Sequence, residues 1–352
     1  MSDSSKGSVK VEMTAKERVL TTLKFGVTDR VPWLPYLRDM AIKYAGYRFS
    51  EVLDDIDKFV YSQIRGLDDF GTDAVWDFGI AHFIGELIGG KILYFEDDQP
   101  ASEPPEVEYK ELAEKLTKLD FTKSPGMMLD LQLVRMLRKA VGPDCPVVGY
   151  AVMPFRFAAE ARGMQQIMLD LILEPDVVRQ IQEMYIPLGI SFAEALADAG
   201  ADVIWLTNPL ASSSCISRKH YEEMIHPYSQ QFLKELKKRN IKSIYHICGD
   251  WRDRLDLVTG EGTDCLYIDR GDIAEFKKAI GPEVALMGNV DVVGVLLEGS
   301  PALVTSETNK CLTAGVHGGG FILSGSCGVP RDVPAQNIRA MAKTCHRFVP
   351  NF

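Results

Sequence analysis

Residues 201–248 read ADVIWLTNPLASSSCISRKHYEEMIHPYSQQFLKELKKRNIKSIYHIC, and this stretch decides the fold class. It opens on a short apolar run rich in β-formers, 201–207 (ADVIWLT), and closes on another, 242–248 (KSIYHIC). Between them, 229–239 carries Phe232, Leu233 and Leu236 at helical spacing. Two strands joined by a helix make a βαβ unit. The runs are near-continuous in hydrophobicity rather than alternating, as parallel strands covered on both faces should be.

Working outward, the same alternation recurs on both sides. Further short runs lie at 31–36 (VPWLPY), 72–79 (TDAVWDFG), 146–153 (PVVGYAVM), 264–269 (DCLYID), 284–289 (VALMGN) and 320–324 (GFILS). Helical patterns separate them, such as 176–199 following Pro175, where a helix can begin. Eight βα units fit a closed barrel better than an open sheet. The expected fold is α/β, a single (β/α)₈ TIM-type barrel over 13–352, with a flexible tail at 1–12 and an N-terminal helical extension. That extension starts at a capping box, Thr14 with Glu17 three residues on. Pro32 and Pro35 keep 31–36 extended. The run 97–108 (DDQPASEPPEVE) reads as a loop over one barrel end.

Composition narrows the function. The 352 residues are 46% hydrophobic and 25% charged, enough for a large core in one domain. A net charge of −10 and a pI near 5.2 argue against nucleic acid and anionic lipid, which need a basic footprint. No run of eighteen apolar residues is present, and the N-terminus MSDSSKGSVKVEM has no apolar signal core, so the cytoplasm is the expected compartment. No GxGxxG opens the first unit and no GxxxxGK[ST] occurs, which removes the main support for dinucleotide and P-loop sites. Seven cysteines, odd in number and widely spaced, are not a disulfide framework; each is a buried small residue or a thiolate with a role.

Two short motifs carry chemistry. In 246–249 (HICG), His246 and Cys248 are two apart on a strand and project to the same side, near its C-terminal end. In 325–328 (GSCG), Cys327 follows the last strand at the same barrel end. Closing the barrel brings the two motifs toward each other, at the rim where barrel enzymes keep their chemistry. One imidazole and two thiolates favour zinc, and three protein ligands leave a position for substrate.

At this point the chain resembles the uroporphyrinogen decarboxylase superfamily. The markers run in order along nearly the whole chain: 14–32 (TAKERVLTTLKFGVTDRVP), 198–209 (DAGADVIWLTNP), 217–227 (SRKHYEEMIHP), 246–250 (HICGD), 288–291 (GNVD) and 325–330 (GSCGVP). The decarboxylase itself fits poorly. It grips substrate carboxylates with an arginine-rich N-terminal segment, whereas 33–39 (WLPYLRD) offers a single arginine. The HxC…C pattern is instead similar to the zinc methyltransferases of corrinoid systems. That resemblance implies Zn²⁺ on His246, Cys248 and Cys327 as metal and catalytic residues, and a separate corrinoid (cobalamin-binding) protein as partner. No DxHxxG cobalamin motif occurs in the chain itself.

Two subgroups of that branch differ in substrate. One passes methyl from a methyl-corrinoid to the thiol coenzyme M; the other takes it from a donor such as an aryl methyl ether and gives it to cob(I)alamin. Aromatics expected at the barrel mouth (Trp33, Tyr36, Trp76, Phe78, Phe155, Phe157, Trp205) favour the ether, because a small sulfonated thiol would want cations. Trp33, Tyr36, Trp76, Phe155 and Asn208 are the substrate-binding candidates, with core filling and an Asn-Pro turn as the alternatives. A metal-free decarboxylase and a non-catalytic binding barrel remain open, and the sequence leaves room for a homo-oligomer. Asp39, Asp77 and Glu160 are candidate fourth ligands, and Asp250 a candidate to orient His246. Asn289 and Asp291 read as loop-bracing residues or site residues. Cys215 follows a strand end and can approach the metal, while Cys145, Cys265, Cys311 and Cys345 read as structural. His82, His220, His226, His317 and His346 have no partner at metal spacing.

Overall fold

The computed structural model describes residues 12–77, 79 and 85–350. Seven strands form one parallel sheet: β1 (Val75–Trp76), β4 (Val147–Val152), β5 (Val203–Thr207), β6 (Ser243–Ile247), β7 (Cys265–Ile268), β8 (Ala285–Val290) and β9 (Phe321–Gly325). Each pairs in parallel with the next in chain order, the topology of a TIM-type barrel. Almost every residue of these strands is buried, so the continuous apolar runs follow from helices covering one face and barrel filling covering the other.

The expected eighth strand at 31–36 is only a bridging segment. Trp33 makes an isolated parallel bridge to Leu323. Leu34 N–H donates to the Leu323 carbonyl at 3.0 Å, and Leu323 N–H to the Pro32 carbonyl at 2.9 Å. On the other side Asp73 N–H donates to the Trp33 carbonyl at 2.7 Å, just before β1. The segment thus joins both edges of the sheet. Pro32 and Pro35 lack N–H groups, so no longer ladder can form.

The Asp73 carboxylate pins this seam. It accepts from Trp33 N at 2.7 Å, from Arg18 Nη1 at 2.7 Å and from Arg30 Nη1 at 2.6 Å. Asp29 takes the other edge of Arg18, at 2.6 Å from Nε. A buried charge is tolerated only with such partners, and removing one typically costs about 3–5 kcal/mol. Arg18 sits on the helix Ala15–Thr22, whose capping box forms as expected: Glu17 N–H reaches Thr14 Oγ1 at 3.1 Å and Thr14 N–H reaches Glu17 Oε2 at 2.9 Å. The helices Arg38–Tyr44, Phe49–Asp54 and Ile56–Phe70 complete the N-terminal extension before β1. The long helix Pro175–Ala199 starts on its proline and ends at Gly200, which takes φ +117°.

The Pro/Glu-rich run is not all loop. β2 (Lys91–Leu93) and β3 (Ala101–Glu103) pair as an antiparallel hairpin outside the barrel sheet. None of its side chains is fully buried, so backbone pairing rather than apolar burial holds it, and no hydrophobic pattern marks it. The hairpin does cross one barrel end. Ser50 N–H donates to the Glu96 carbonyl, Arg331 reaches Asp97, and Arg38 Nη2 reaches Gln99 Oε1 at 2.7 Å. Among the described residues no helix is long and apolar enough to cross a membrane. The tail 1–11, Phe78 and His82 lie outside the described residues.

Candidate metal centre

β6 ends on the His246–Cys248 pair, and the turn after β9 carries Cys327. The structure brings all three together. Sγ of Cys327 lies 3.4 Å from Nε2 of His246, and one ligand atom from each residue lies within 4.8 Å of the others. His246 is buried, and both cysteines are half-buried.

Each ligand is held from behind. Nδ1 of His246 lies 3.2 Å from the Tyr267 carbonyl, which only accepts; Nδ1 therefore carries a proton, and Nε2 is the ring atom that faces Cys327. The Tyr267 hydroxyl donates to the Cys327 carbonyl at 2.9 Å and accepts from Ser324 Oγ at 3.2 Å. Asp269 Oδ2 accepts from Gly249 N at 2.8 Å and faces the Cys248 thiol at 3.7 Å. Trp251 Nε1 donates to the Cys248 carbonyl at 2.9 Å. Gly249 takes φ +87°, and a Cβ there would sit 2.8 Å from Ser212 Oγ, so the turn that frees Cys248 needs a glycine.

The electrostatics suit a cation. The Cys248 thiol and the His246 ring beside it pull the Cys327 thiol well below the ordinary thiol range, against the effect of burial. Cys248 is driven up, because its proton faces the Cys327 thiolate and its sulfur is buried. The two sulfurs thus face each other across the place that a divalent ion would take on deprotonating both. Two thiolates and one Nε2 are a fitting donor set for zinc with an open position.

A cavity of about 260 Å³ opens beside the three ligands, with Tyr36, Trp205, Arg38, Arg156, Gln99 and Pro100 in its wall. Tyr36 and Trp205 pack at 4.5 Å, and Trp205 lies 6.1 Å from His246. Arg156 donates from Nη1 to Thr207 Oγ1 at 2.9 Å and from Nε to Glu160 Oε1 at 2.9 Å. Arg38 is held by Gln99 and by Asp39 at 3.3 Å. Two guanidinium groups and a wall of tilted aromatic rings therefore share the cavity with the sulfurs.

The other expected residues fall elsewhere. Trp33 is fully buried with Nε1 on the Phe70 carbonyl at 3.3 Å, so it faces the helix layer rather than the mouth. Trp76 backs the wall, 5.3 Å from Tyr36 and 6.0 Å from Trp205. Phe155 is buried in the helix Pro154–Arg162 and does not line the cavity; Phe157 stacks on Tyr185 at 4.4 Å. Asn208 is buried beside the Tyr245 hydroxyl, while its neighbours Thr207 and Pro209 line the cavity, as alternation requires. None of Asp39, Asp77 and Glu160 joins the metal-ligand group. Asp39 and Glu160 pair with Arg38 and Arg156, and Asp77 is buried, accepting from Gly79 N at 3.1 Å. Asp250 does not orient His246 either. Arg252 holds it through its side chain and pulls its carboxyl down to about 2. Asn289 donates to the Gly271 carbonyl, and Asp291 caps the turn of helix at Val292–Leu297, both bracing roles. Cys215 is exposed and outside the group; Cys145, Cys265, Cys311 and Cys345 are buried.

Comparison with known proteins agrees with this architecture. The chain is 26% identical over 348 residues to the methylcobamide:CoM methyltransferase MtbA of Methanosarcina mazei, covering 96% of this chain and 99% of that one. It is 25% identical over 335 residues to the methylcobamide:CoM methyltransferase MtaA of Methanosarcina barkeri, covering 94% and 97%. A uroporphyrinogen decarboxylase of Nitrosomonas europaea is 24% identical over 296 residues, 80% of this chain and 81% of that one. A solved methyltransferase from Methanosarcina mazei superposes with a TM-score of 0.85 at 23% identity, covering 95% of this chain and 99% of that one, and so shares the fold. Residues 14–348 match the family described as uroporphyrinogen decarboxylase (URO-D), and the chain belongs to that family.

Proposed function

We propose that the protein is a zinc-dependent methyltransferase that takes a methyl group from a corrinoid carried by a separate protein and passes it to a small anionic thiol. The observation that carries this reading is the pair Arg38 and Arg156 in the cavity beside His246, Cys248 and Cys327. The aromatic wall alone favoured an aryl methyl ether. The two cations reverse that preference, since a thiol with an anionic end wants them and a neutral ether does not. The relatives named methylcobamide:CoM methyltransferase support the same direction. At about 260 Å³ the cavity lies below the ~300–1,000 Å³ usual for drug-sized ligands, small for a tetrapyrrole.

Zinc, when bound, holds an acceptor sulfur as a thiolate at neutral pH and keeps it nucleophilic. His246, Cys248 and Cys327 would hold the metal, and their two thiolates and neutral imidazole would balance its charge and leave a position for the acceptor. Arg38 and Arg156 bind and orient the acceptor's anionic end, and Tyr36 and Trp205 pack against its stem. Gln99 and Pro100 of the hairpin limit water at that wall. In the overall exchange the thiol loses its proton, its sulfur lone pair forms the new S–C bond, and the electrons of the broken Co–C bond stay on cobalt.

The test is the purified protein with free methylcobalamin and a panel of 2-mercaptoethanesulfonate, 3-mercaptopropionate and 2-mercaptoethanol, beside methoxyarenes with cob(I)alamin. Loss of the methylcobalamin spectrum should be at least tenfold faster with the anionic thiols than with the neutral one. Demethylation of methoxyarenes with inert thiols would sink the reading.

A further inference from the structure

We infer that Cys248 and Cys327 form a reversible redox switch, in which a hydroperoxide links the two sulfurs as a disulfide and so dismantles the metal site. Both side chains line the cavity of about 260 Å³ and both are half-buried, so a small oxidant reaches them. Their sulfurs lie within 4.8 Å of each other. A disulfide needs about 2.05 Å, so the sulfurs have to approach by less than about 3 Å. Rotation about one χ1 carries a sulfur that far. The backbone keeps its place meanwhile. Trp251 Nε1 donates to the Cys248 carbonyl at 2.9 Å, and the Tyr267 hydroxyl to the Cys327 carbonyl at 2.9 Å. Each cysteine also stands past a strand end and before a glycine, Cys248 before Gly249 and Cys327 before Gly328, so neither strand has to move.

The step balances. Two S–H bonds and the peroxide O–O bond break, one S–S bond forms, and hydrogen peroxide leaves as two waters. One sulfur attacks the peroxide and becomes a sulfenic acid, and the other then displaces its hydroxyl. The second attack is intramolecular, so it outruns both further oxidation and capture by a thiol from solution. The other cysteines do not offer this arrangement. Cys145, Cys265, Cys311 and Cys345 are buried, and Cys215 is exposed and stands outside the ligand group. The consequence follows from the donor set. The thiolate is the form of cysteine that binds a metal, so one disulfide removes two of the three protein ligands and leaves His246 alone. A dithiol reductant restores both sulfurs. The switch rests on the metal reading of this site and adds to it a means of turning the site off.

The test treats the full chain, its zinc counted first, with a modest excess of hydrogen peroxide. Intact mass should fall by about 2 Da, the two hydrogens lost on linkage. Peptide mapping without reductant should join the Cys248 peptide to the Cys327 peptide. Zinc, read with a chromogenic chelator, should leave in step, about one ion per link. Dithiothreitol should reverse both changes. Cys215→Ser should behave as the native chain, and Cys248→Ser should form no link to Cys327. Three results overturn the switch: a zinc-bearing chain that gives no Cys248–Cys327 link, a link that leaves zinc bound, or sulfinic acid on either cysteine in place of the link. A chain that carries no zinc at the outset fails the metal reading and takes the switch with it, whereas a zinc-bearing chain that resists linkage overturns the switch alone.

Discussion

The hydroxyl of Tyr267 donates to the carbonyl of Cys327 across 2.9 Å, sixty residues apart in the chain, while the Tyr267 carbonyl receives Nδ1–H of His246. One residue on β7 thus sets the ring orientation of one candidate ligand and the turn that carries another. Tyr267→Phe keeps the ring, which lies 4.4 Å from the imidazole, and removes the hydroxyl that donates to Cys327 and accepts from Ser324 Oγ. The Cys327 carbonyl loses its partner at a cost of about 1–3 kcal/mol in urea unfolding. Zinc affinity, measured by competition with a chromogenic chelator, should fall about 10- to 100-fold, the usual effect of removing a residue that braces a ligand. Unchanged affinity would show that the turn keeps its shape without the phenol.

The metal assignment has its own test. Native protein should carry about one zinc per chain. Cys327→Ala leaves one thiolate and one imidazole, and its zinc affinity should fall by roughly 10²-fold or more. Cobalt(II) loading gives a second readout, because the sulfur-to-cobalt absorption of the native site should weaken in the variant. A Cys327→Ala protein with stoichiometric zinc and normal methyl transfer rules the assignment out.

Substrate choice can be separated from stability at Arg156. Arg156→Gln keeps a donor for Thr207 and removes the charge from the cavity. A hydrogen-bonded charge is worth about 1.5–3 kcal/mol, so KM for an anionic thiol should rise about 10- to 100-fold. KM for 2-mercaptoethanol should stay within about twofold. Arg156→Lys retains charge without the planar fork and should fall between the two. An equal loss for both thiols would assign Arg156 to the scaffold.

The barrel was legible because its strands are covered on both faces, which writes continuous apolar runs such as 201–207 and 242–248. His246 and Cys248 were legible because alternation alone places them on one side. The remainder depends on relations that no local pattern carries. Trp33 and Tyr36 sit three residues apart in one extended segment, and only the three-dimensional path turns one to the helices and the other to the cavity. Arg156 lies in the first turn of a helix after β4, a place shared by many solvated arginines; its signal was the strand end just before it. Tyr267 acts partly through its carbonyl, which every residue possesses. The hairpin of β2 and β3 was hidden because its pairing is backbone to backbone across charged and proline-rich residues.

The last prediction concerns pH and the buried carboxyl of Asp77. Burial drives its carboxyl well above the usual carboxylate range, and the neighbouring Asp130 adds to this. Asp130 is raised in the same way by burial, with Glu86 behind it. A carboxyl whose pKa is raised on folding binds more protons in the native state than in the unfolded one. Its contribution is therefore fully present below the unfolded value near 4 and is lost as pH rises toward the folded value. Within that window the loss runs at about 1.4 kcal/mol per pH unit. Asp77→Asn keeps the oxygen that accepts from Gly79 N at 3.1 Å and does not titrate. Urea unfolding of both proteins between pH 4.5 and 8 should show the variant gaining on the native chain as pH rises, with the titrations of groups remote from Asp77 and Asp130 cancelling in the difference. A constant gap would mean that Asp77 stays ionised in the fold, with its buried charge paid by a partner other than Gly79.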